Sequence, residues 1–216
     1  MNGNLLYGFK DRHHAGLELA ELLLHLADEE DLLILGLPRG GVPVAAVISE
    51  ALGKPFDVLI VRKLGVPGHE EFAMGALASG GVRVLNDGLV AQLGLSPAQV
   101  EEVVEREADE LFRRDRLYRG ERPIPAVAGR PVVIVDDGIA TGSTVSAAIQ
   151  LLRQRGAAKI TVAAPVAPPE TVQRLKLEAD QVVVALEPEQ FGGVGRWYQD
   201  FAETTDDKVQ KLLAER

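Results

Sequence analysis

The sequence predicts an α/β protein in which a mainly parallel, twisted sheet carries helices on both faces, a doubly wound, Rossmann-like arrangement. Three observations predict it. Five short apolar runs, LLILGLP, FDVLIV, PVVIVDD, KITVAAPVA and VVVAL, each read as a buried strand. Segments of helical periodicity follow most of them. The chain of 216 residues, 46% hydrophobic, is long enough for one domain with substantial appendages. In such a fold, ligands are expected where strands end at a topological switch point, so the turns after the apolar runs are the places to look for function.

Taken in order, Asp11 can cap a first helix carrying Leu17, Leu19, Leu22, Leu23 and Leu26, which ends in the solvated acidic run 28–31. LLILGLP, the turn RGG and the helical VPVAAVISEALG, closed by Gly53, form a strand-turn-helix unit. FDVLIV reads as one strand, RKLGVPGHEEFAMG as an unusually long polar loop, and ALASGGVRVL as a hairpin about Gly80 and Gly81. Ser96 with Pro97 opens one long charged helix supported by opposite charges three to four apart, and 86–125 is expected to be a helical insertion. Pro123 and Pro125 lead back into alternation: PVVIVDD, a helix over TGSTVSAAIQLLRQRG, KITVAAPVA, a helix over PPETVQRLKLEAD, and VVVAL. A Gly- and aromatic-bearing tail, 187–216, contains a last helix.

Composition removes several classes of function. A net charge of −9 leaves no broad basic surface for nucleic acid. Absence of cysteine rules out disulfides and thiolate chemistry. The apolar stretches are short and interrupted by charge, so no membrane span is read, and the start MNGNLLYGFKDRHH lacks the apolar region of a signal peptide. A cytoplasmic protein with small-molecule partners is expected. His13, His14 and His25 lack the spacing of a metal site.

The chemistry is concentrated in VVIVDDGIATGST, Val132 to Thr144. Its apolar run buries a strand, so Asp136 and Asp137 emerge at the carboxyl end. Gly138 and Gly142 allow close backbone approach, and Thr141, Ser143 and Thr144 supply hydroxyl donors at the start of a helix. Free N–H groups and the helix dipole there favour an anion. Paired carboxylates beside an anion nest suit a polyhydroxylated sugar bearing a phosphate, and ribose 5-phosphate meets both demands. The bland alternative is an acidic turn whose hydroxyls merely cap a helix. A Walker A loop needs another spacing and a lysine, and a GxGxxG fingerprint is missing.

These thirteen residues closely resemble the 5-phosphoribosyl-1-pyrophosphate signature of the type I phosphoribosyltransferases. The resemblance implies that Asp136 and Asp137 hold the ribose hydroxyls, and a magnesium ion directly or through water, while Gly138, Ile139, Ala140, Thr141, Gly142, Ser143 and Thr144 wrap the 5-phosphate. Arg39, Gly40 and Gly41 fall where that family keeps its pyrophosphate-binding loop. Alone, RGG would more often be a tight turn. Arg62 and Lys63 begin a segment that resembles the family's flexible catalytic loop, where cations could neutralise departing pyrophosphate; otherwise they are a solvated basic pair. His69, Glu70 and Glu71 are the acid-base candidates of that loop.

Ala140 stands where some 6-oxopurine enzymes carry Asp, which resembles adenine-type members and would place base duty on Glu70 or Glu71. FGGVGRWYQDF resembles the hood segment of purine enzymes, with Trp197 and Tyr198 as candidates to stack on a base; Trp197 could equally anchor the tail in the core. The expected function is therefore phosphoribosyl transfer from 5-phosphoribosyl-1-pyrophosphate to a nitrogenous base by a homodimer. A regulatory protein that senses the sugar phosphate without catalysis is the alternative.

Overall fold

The computed structural model describes residues 8–79 and 81–215, with the side chain of Glu71 excepted. Eight strands and seven α-helices follow in the order α1 (Arg12–Leu22), β1 (Leu33–Gly36), α2 (Gly41–Leu52), β2 (Phe56–Val58), β3 (Val61–Val66), β4 (His69–Ala78), β5 (Val82–Leu85), α3 (Asp87–Gln92), α4 (Pro97–Arg119), β6 (Pro131–Val135), α5 (Ser143–Gln154), β7 (Lys159–Val166), α6 (Pro169–Leu175), β8 (Gln181–Leu186) and α7 (Asp206–Ala214).

Five of the strands make a parallel sheet in the order β2-β1-β6-β7-β8. The strands are largely apolar on both sides because helices cover both faces, with Asp57 and Thr161 as buried polar exceptions. Ile34 and Val133 point into a core shared with α1, α2, α4 and α7, whereas Leu33, Leu35, Val132 and Ile134 point into a second core under α5 and α6. The expected sheet with helices on both faces is therefore what the chain forms. After β1 the chain moves outward to β2, and after β6 it moves the other way to β7. The carboxyl ends of the neighbouring strands β1 and β6 are thus the switch point.

Two sequence expectations change. FDVLIV is not one strand: β2 ends at Val58 in the parallel sheet, and β3 starts at Val61 in a separate antiparallel sheet of order β3-β4-β5. The expected long loop is mostly the hairpin of β3 and β4, turned by Pro67 and Gly68, the latter at φ 77° where glycine is favoured. This second sheet is sandwiched, with Leu64, Met74 and Leu77 facing the core that α4 joins, and Val61, Ala76 and Ala78 facing that of α5. Gly80, at the expected turn to β5, lies outside the described residues; the pairing Ala78↔Val82 brackets it.

The helices largely follow their local signals. Asp11 accepts a hydrogen bond from His14 N at 2.8 Å and caps α1, although Leu17 and Leu22 are exposed and the buried stripe runs through Ala15, Leu19 and Leu23. Ser96 and Gln99 form a capping box with Pro97 at the first position of α4, and Gly53 ends α2 at φ 62°. Inside, Arg119 of α4 reaches Asp57 Oδ2 of β2 at 2.8 Å, both side chains buried, and also donates to Val58 O.

Candidate functional site

The switch point brings the two sequence-defined segments into contact. Leu37 N donates to Val135 O at 2.8 Å just before the 39–41 turn, and the peptide joining Pro38 to Arg39 is cis. Gly40 and Gly41 are required by closeness. A Cβ on Gly40 would lie 1.9 Å from Asp137 Oδ2, and one on Gly41 2.4 Å from Val135 O. A side chain at Gly41 would run into the backbone of 135–136, and one at Gly40 would have to displace the Asp137 carboxylate. Gly41 N already bonds Leu37 O at 3.0 Å, so Gly41 contributes close approach rather than a free amide.

Asp136 and Asp137 end β6 half-buried, and Asp136 Oδ1 accepts the Asp137 N–H at 2.9 Å. Burial, followed by the charge of Asp137, pushes Asp136 well above the usual carboxylate range. Burial also raises Asp137, against the opposing pull of the Arg12 guanidinium. Their charges are therefore costly side by side and suit a ligand that donates hydrogen bonds or brings a cation.

Behind them the turn leads into α5. Gly142 takes the N-cap at φ 70°, Thr141 and Ser143 hydroxyls lie 3.2 Å apart, and Ala140, Thr141 and Thr144 are exposed. The first amides of this 12-residue helix open at the turn, where a helix start favours negative charge. One expectation is corrected here: Ile139 is buried, and its N–H bonds Val166 O at 2.9 Å, so neither side chain nor amide remains for a phosphate. Two further residues support the turn from α6. Thr171 Oγ1 donates to Ala140 O at 2.8 Å, and Arg174 donates to Thr141 O and to Ser146 Oγ.

Arg39 reaches toward the tail, pairing with Glu203 and lying 3.9 Å from Asp206. A cleft of about 380 Å³ lies between Arg12, Arg39, Gly40 and Asp137 on one side and Phe201, Glu203 and Thr204 on the other. A larger groove of about 730 Å³ between α1, α2 and α7, lined by Pro43, Val47, Phe56 and Leu212, shares Arg12 with this cleft but includes neither the acid pair nor the α5 turn. Of the acid pair, the smaller cleft reaches Asp137, beside Arg39 and Gly40.

Other expected residues lie elsewhere. Arg62 donates Nε and Nη2 to Glu107 of α4 at 2.9 and 2.6 Å, so it is a clasp between β3 and α4 rather than a cation in the cleft. Strand alternation puts Lys63 on the opposite face of β3, where its neighbours Val61 and Ala76 meet α5. His69 and Glu70 are exposed at the hairpin turn, and the Glu71 side chain is outside the described residues. Tyr198 is buried: its ring packs on Phe9 and Phe201, and its hydroxyl donates to Asp137 O at 2.6 Å. It anchors the tail to β6, and its face is not open to stack on a base. Trp197 is half-buried and donates Nε1–H to Phe191 O at 2.9 Å. From the tail, Val194 packs against the turn, where a Cβ on Gly138 would meet its Cγ1 at 2.4 Å.

Sequence reasoning missed Arg12, whose Nε lies 2.7 Å from Asp137 Oδ2 and whose Nη1 donates to Ala202 O at 2.7 Å. The one local signal is a cation at the first position of a helix, where the dipole disfavours it.

A parallel sheet with an acid pair and a helix-opening turn at one strand end, and a glycine turn from the adjacent strand, defines a doubly wound α/β protein with its candidate site at the switch point. Residues 12–195 match the phosphoribosyl transferase domain, and the chain belongs to that family. It is 47% identical over 206 residues to "Putative phosphoribosyl transferase Rv0571c" of Mycobacterium tuberculosis, covering 95% of this chain and 46% of that protein. The chain thus spans about half the length of the curated relatives it matches. A shorter match, 35% over 92 residues, covers 43% of this chain and 43% of a uracil phosphoribosyltransferase of Acinetobacter baylyi. Among solved structures, TT1426 from Thermus thermophilus superposes with a TM-score of 0.90 at 45% identity over 96% of this chain and 98% of that one.

Proposed function

We propose that this chain transfers the 5-phosphoribosyl group from 5-phosphoribosyl-1-pyrophosphate to a nitrogenous base, purines among the candidate acceptors, with release of pyrophosphate. The observation that carries the reading is the packing of Gly40 against the Asp137 carboxylate, which joins a leaving-group turn to a ribose-holding acid pair at one switch point. The α5 turn receives the 5-phosphate, Asp136 and Asp137 accept hydrogen bonds from the ribose hydroxyls, and Arg39 exchanges Glu203 for pyrophosphate. A lone pair on the acceptor nitrogen forms the new bond to C1 as the C1–O bond breaks, and the electron pair leaves with pyrophosphate. The separating charges are held by the carboxylates on the ribose side and by Arg39 on the other.

Hard carboxylate oxygens at a phosphate site fit magnesium, which keeps several waters and takes one or two carboxylates plus substrate phosphates. Asp136 and Asp137 would hold it, directly or through water, and it would supply positive charge to the leaving group. Among the described residues there is no group of three or more His, Cys, Asp or Glu side chains that could hold a metal ion.

The test is incubation with magnesium, the donor and a panel of nucleobases and other amines, reading pyrophosphate. Release that requires one acceptor class supports the proposal; no release with any acceptor sinks it. The second reading, a non-catalytic sensor of the same donor, is favoured by the engagement of Arg62 with Glu107. It predicts donor binding without turnover. Small-molecule partners, a cytoplasmic location and a homodimer complete the proposal. No described helix is long and apolar enough to cross a membrane, and the exposed Phe72 and Phe112 offer apolar surface for a second copy.

A further inference from the structure

We propose that Arg12 is the positioning residue for Asp137, setting the direction of its carboxylate and coupling it to the tail at 198–202. The inference rests on the reading that Asp137 holds the donor's ribose.

Arg12 is the first residue of α1 and lies 125 positions from Asp137, yet its side chain is only 12% exposed. Helix stability does not account for it, because a cation at the first turn opposes the dipole. Its contacts do. Nε meets Asp137 Oδ2 at 2.7 Å, Nη1 donates to Ala202 O at 2.7 Å, and the Phe201 ring lies 4.1 Å from Cζ. On its other side the same Oδ2 abuts Gly40, where even a methyl group would not fit. The carboxylate oxygen is therefore clamped between a cation and a backbone. Tyr198 completes the arrangement by bonding the Asp137 carbonyl.

The geometry demands arginine. One nitrogen faces the acid while another faces the Ala202 carbonyl, and the planar group stacks on Phe201; an ammonium cannot span both acceptors or stack in that way. Arg12 acts through Asp137 from within the lining of the same cleft.

The experiment compares Arg12→Ala and Arg12→Lys, each alone and combined with Asp137→Asn, by calorimetric titration with ribose 5-phosphate and with 5-phosphoribosyl-1-pyrophosphate plus magnesium. It also includes a crystal structure of ligand-free Arg12→Ala. Arg12→Ala is expected to bind about ten- to a hundredfold more weakly, the scale of a lost charged hydrogen bond, with Arg12→Lys between it and wild type. On the Asp137→Asn background the further loss is expected to be under about threefold, since the two act as one unit. In the crystal, the Asp137 carboxylate turns away from Gly40 while Asp136 and the start of α5 keep their places. An unmoved Asp137 carboxylate, or an equal loss on the Asp137→Asn background, overturns the proposal. If wild type binds neither ligand, the functional reading fails and the crystal still decides the role of Arg12. If Arg12→Ala does not fold, Arg12→Lys is judged by the same cycle and the same carboxylate.

Discussion

Gly40 shows how narrowly one residue sets this site. The carboxylate oxygen 1.9 Å from its missing Cβ is paired with Arg12, so a side chain here has to break that pair or displace the acid. Gly40→Ala is therefore expected to cost about 1–3 kcal/mol in urea unfolding, the range of an overpacked site, and to abolish donor binding. Wild-type affinity in this variant would refute the contact. Asp136 gives a prediction of opposite sign for stability. Burial and the charge of Asp137 raise it, so the folded chain keeps a proton over a range in which the unfolded chain, with a carboxyl near about 3.9, has lost it. The group favours folding most below that unfolded value, and its contribution declines as pH rises to the folded one. Asp136→Asn lacks this decline. Relative to wild type the variant should gain stability as pH rises above the unfolded value of about 3.9 while losing donor affinity, checked by paired urea titrations; a difference independent of pH would remove burial as the cause.

The elements differ in how far their sequences disclosed them. The motif 132–144 was legible because strand, acids, glycines and helix start are consecutive, and each has a local reason for its place. The β2–β3 passage was not. An apolar run of six carries no mark of where the chain leaves one sheet for another, and HEEF at the start of β4 lacks the alternation that betrays a strand. The role of α4 was equally hidden, because its anchor to β2 spans 62 residues. Arg119→Ala would leave Asp57 buried without its guanidinium, and is expected to cost about 3–5 kcal/mol in urea unfolding; a loss under about 1 kcal/mol would show the pair to be dispensable. In the tail, Glu203 holds Arg39 from an exposed position. Glu203→Gln should tighten pyrophosphate binding by a few-fold at most, about the worth of an exposed pair, as measured by calorimetry. Weaker binding would mean that Glu203 helps the ligand rather than competing with it.

At the scale of the whole molecule, one sheet divides two apolar cores, and the tail closes the side that carries the site. The fold class followed from alternation of strands and helices, but the return of the tail did not, because Phe9, Tyr198 and Val166 meet across most of the chain's length. The last helix belongs to the larger core: Val209 and Leu213 of α7 are buried with residues of α2 and α4, and Asp206 at its start accepts from the Tyr118 hydroxyl at 2.5 Å. Tail and sheet should therefore unfold together. Leu213→Ala is expected to cost about 2–5 kcal/mol, at roughly 2–4 °C of melting temperature for each kcal/mol in a chain of this size. Trp197 fluorescence reports the tail and far-ultraviolet dichroism reports the helices, and for one cooperative unit the two transitions stay coincident in the variant as in wild type. An earlier fluorescence transition would separate the tail from the sheet, and would show that the link from Phe201 and Ala202 through Arg12 to Asp137 is too weak to hold the acid pair in place.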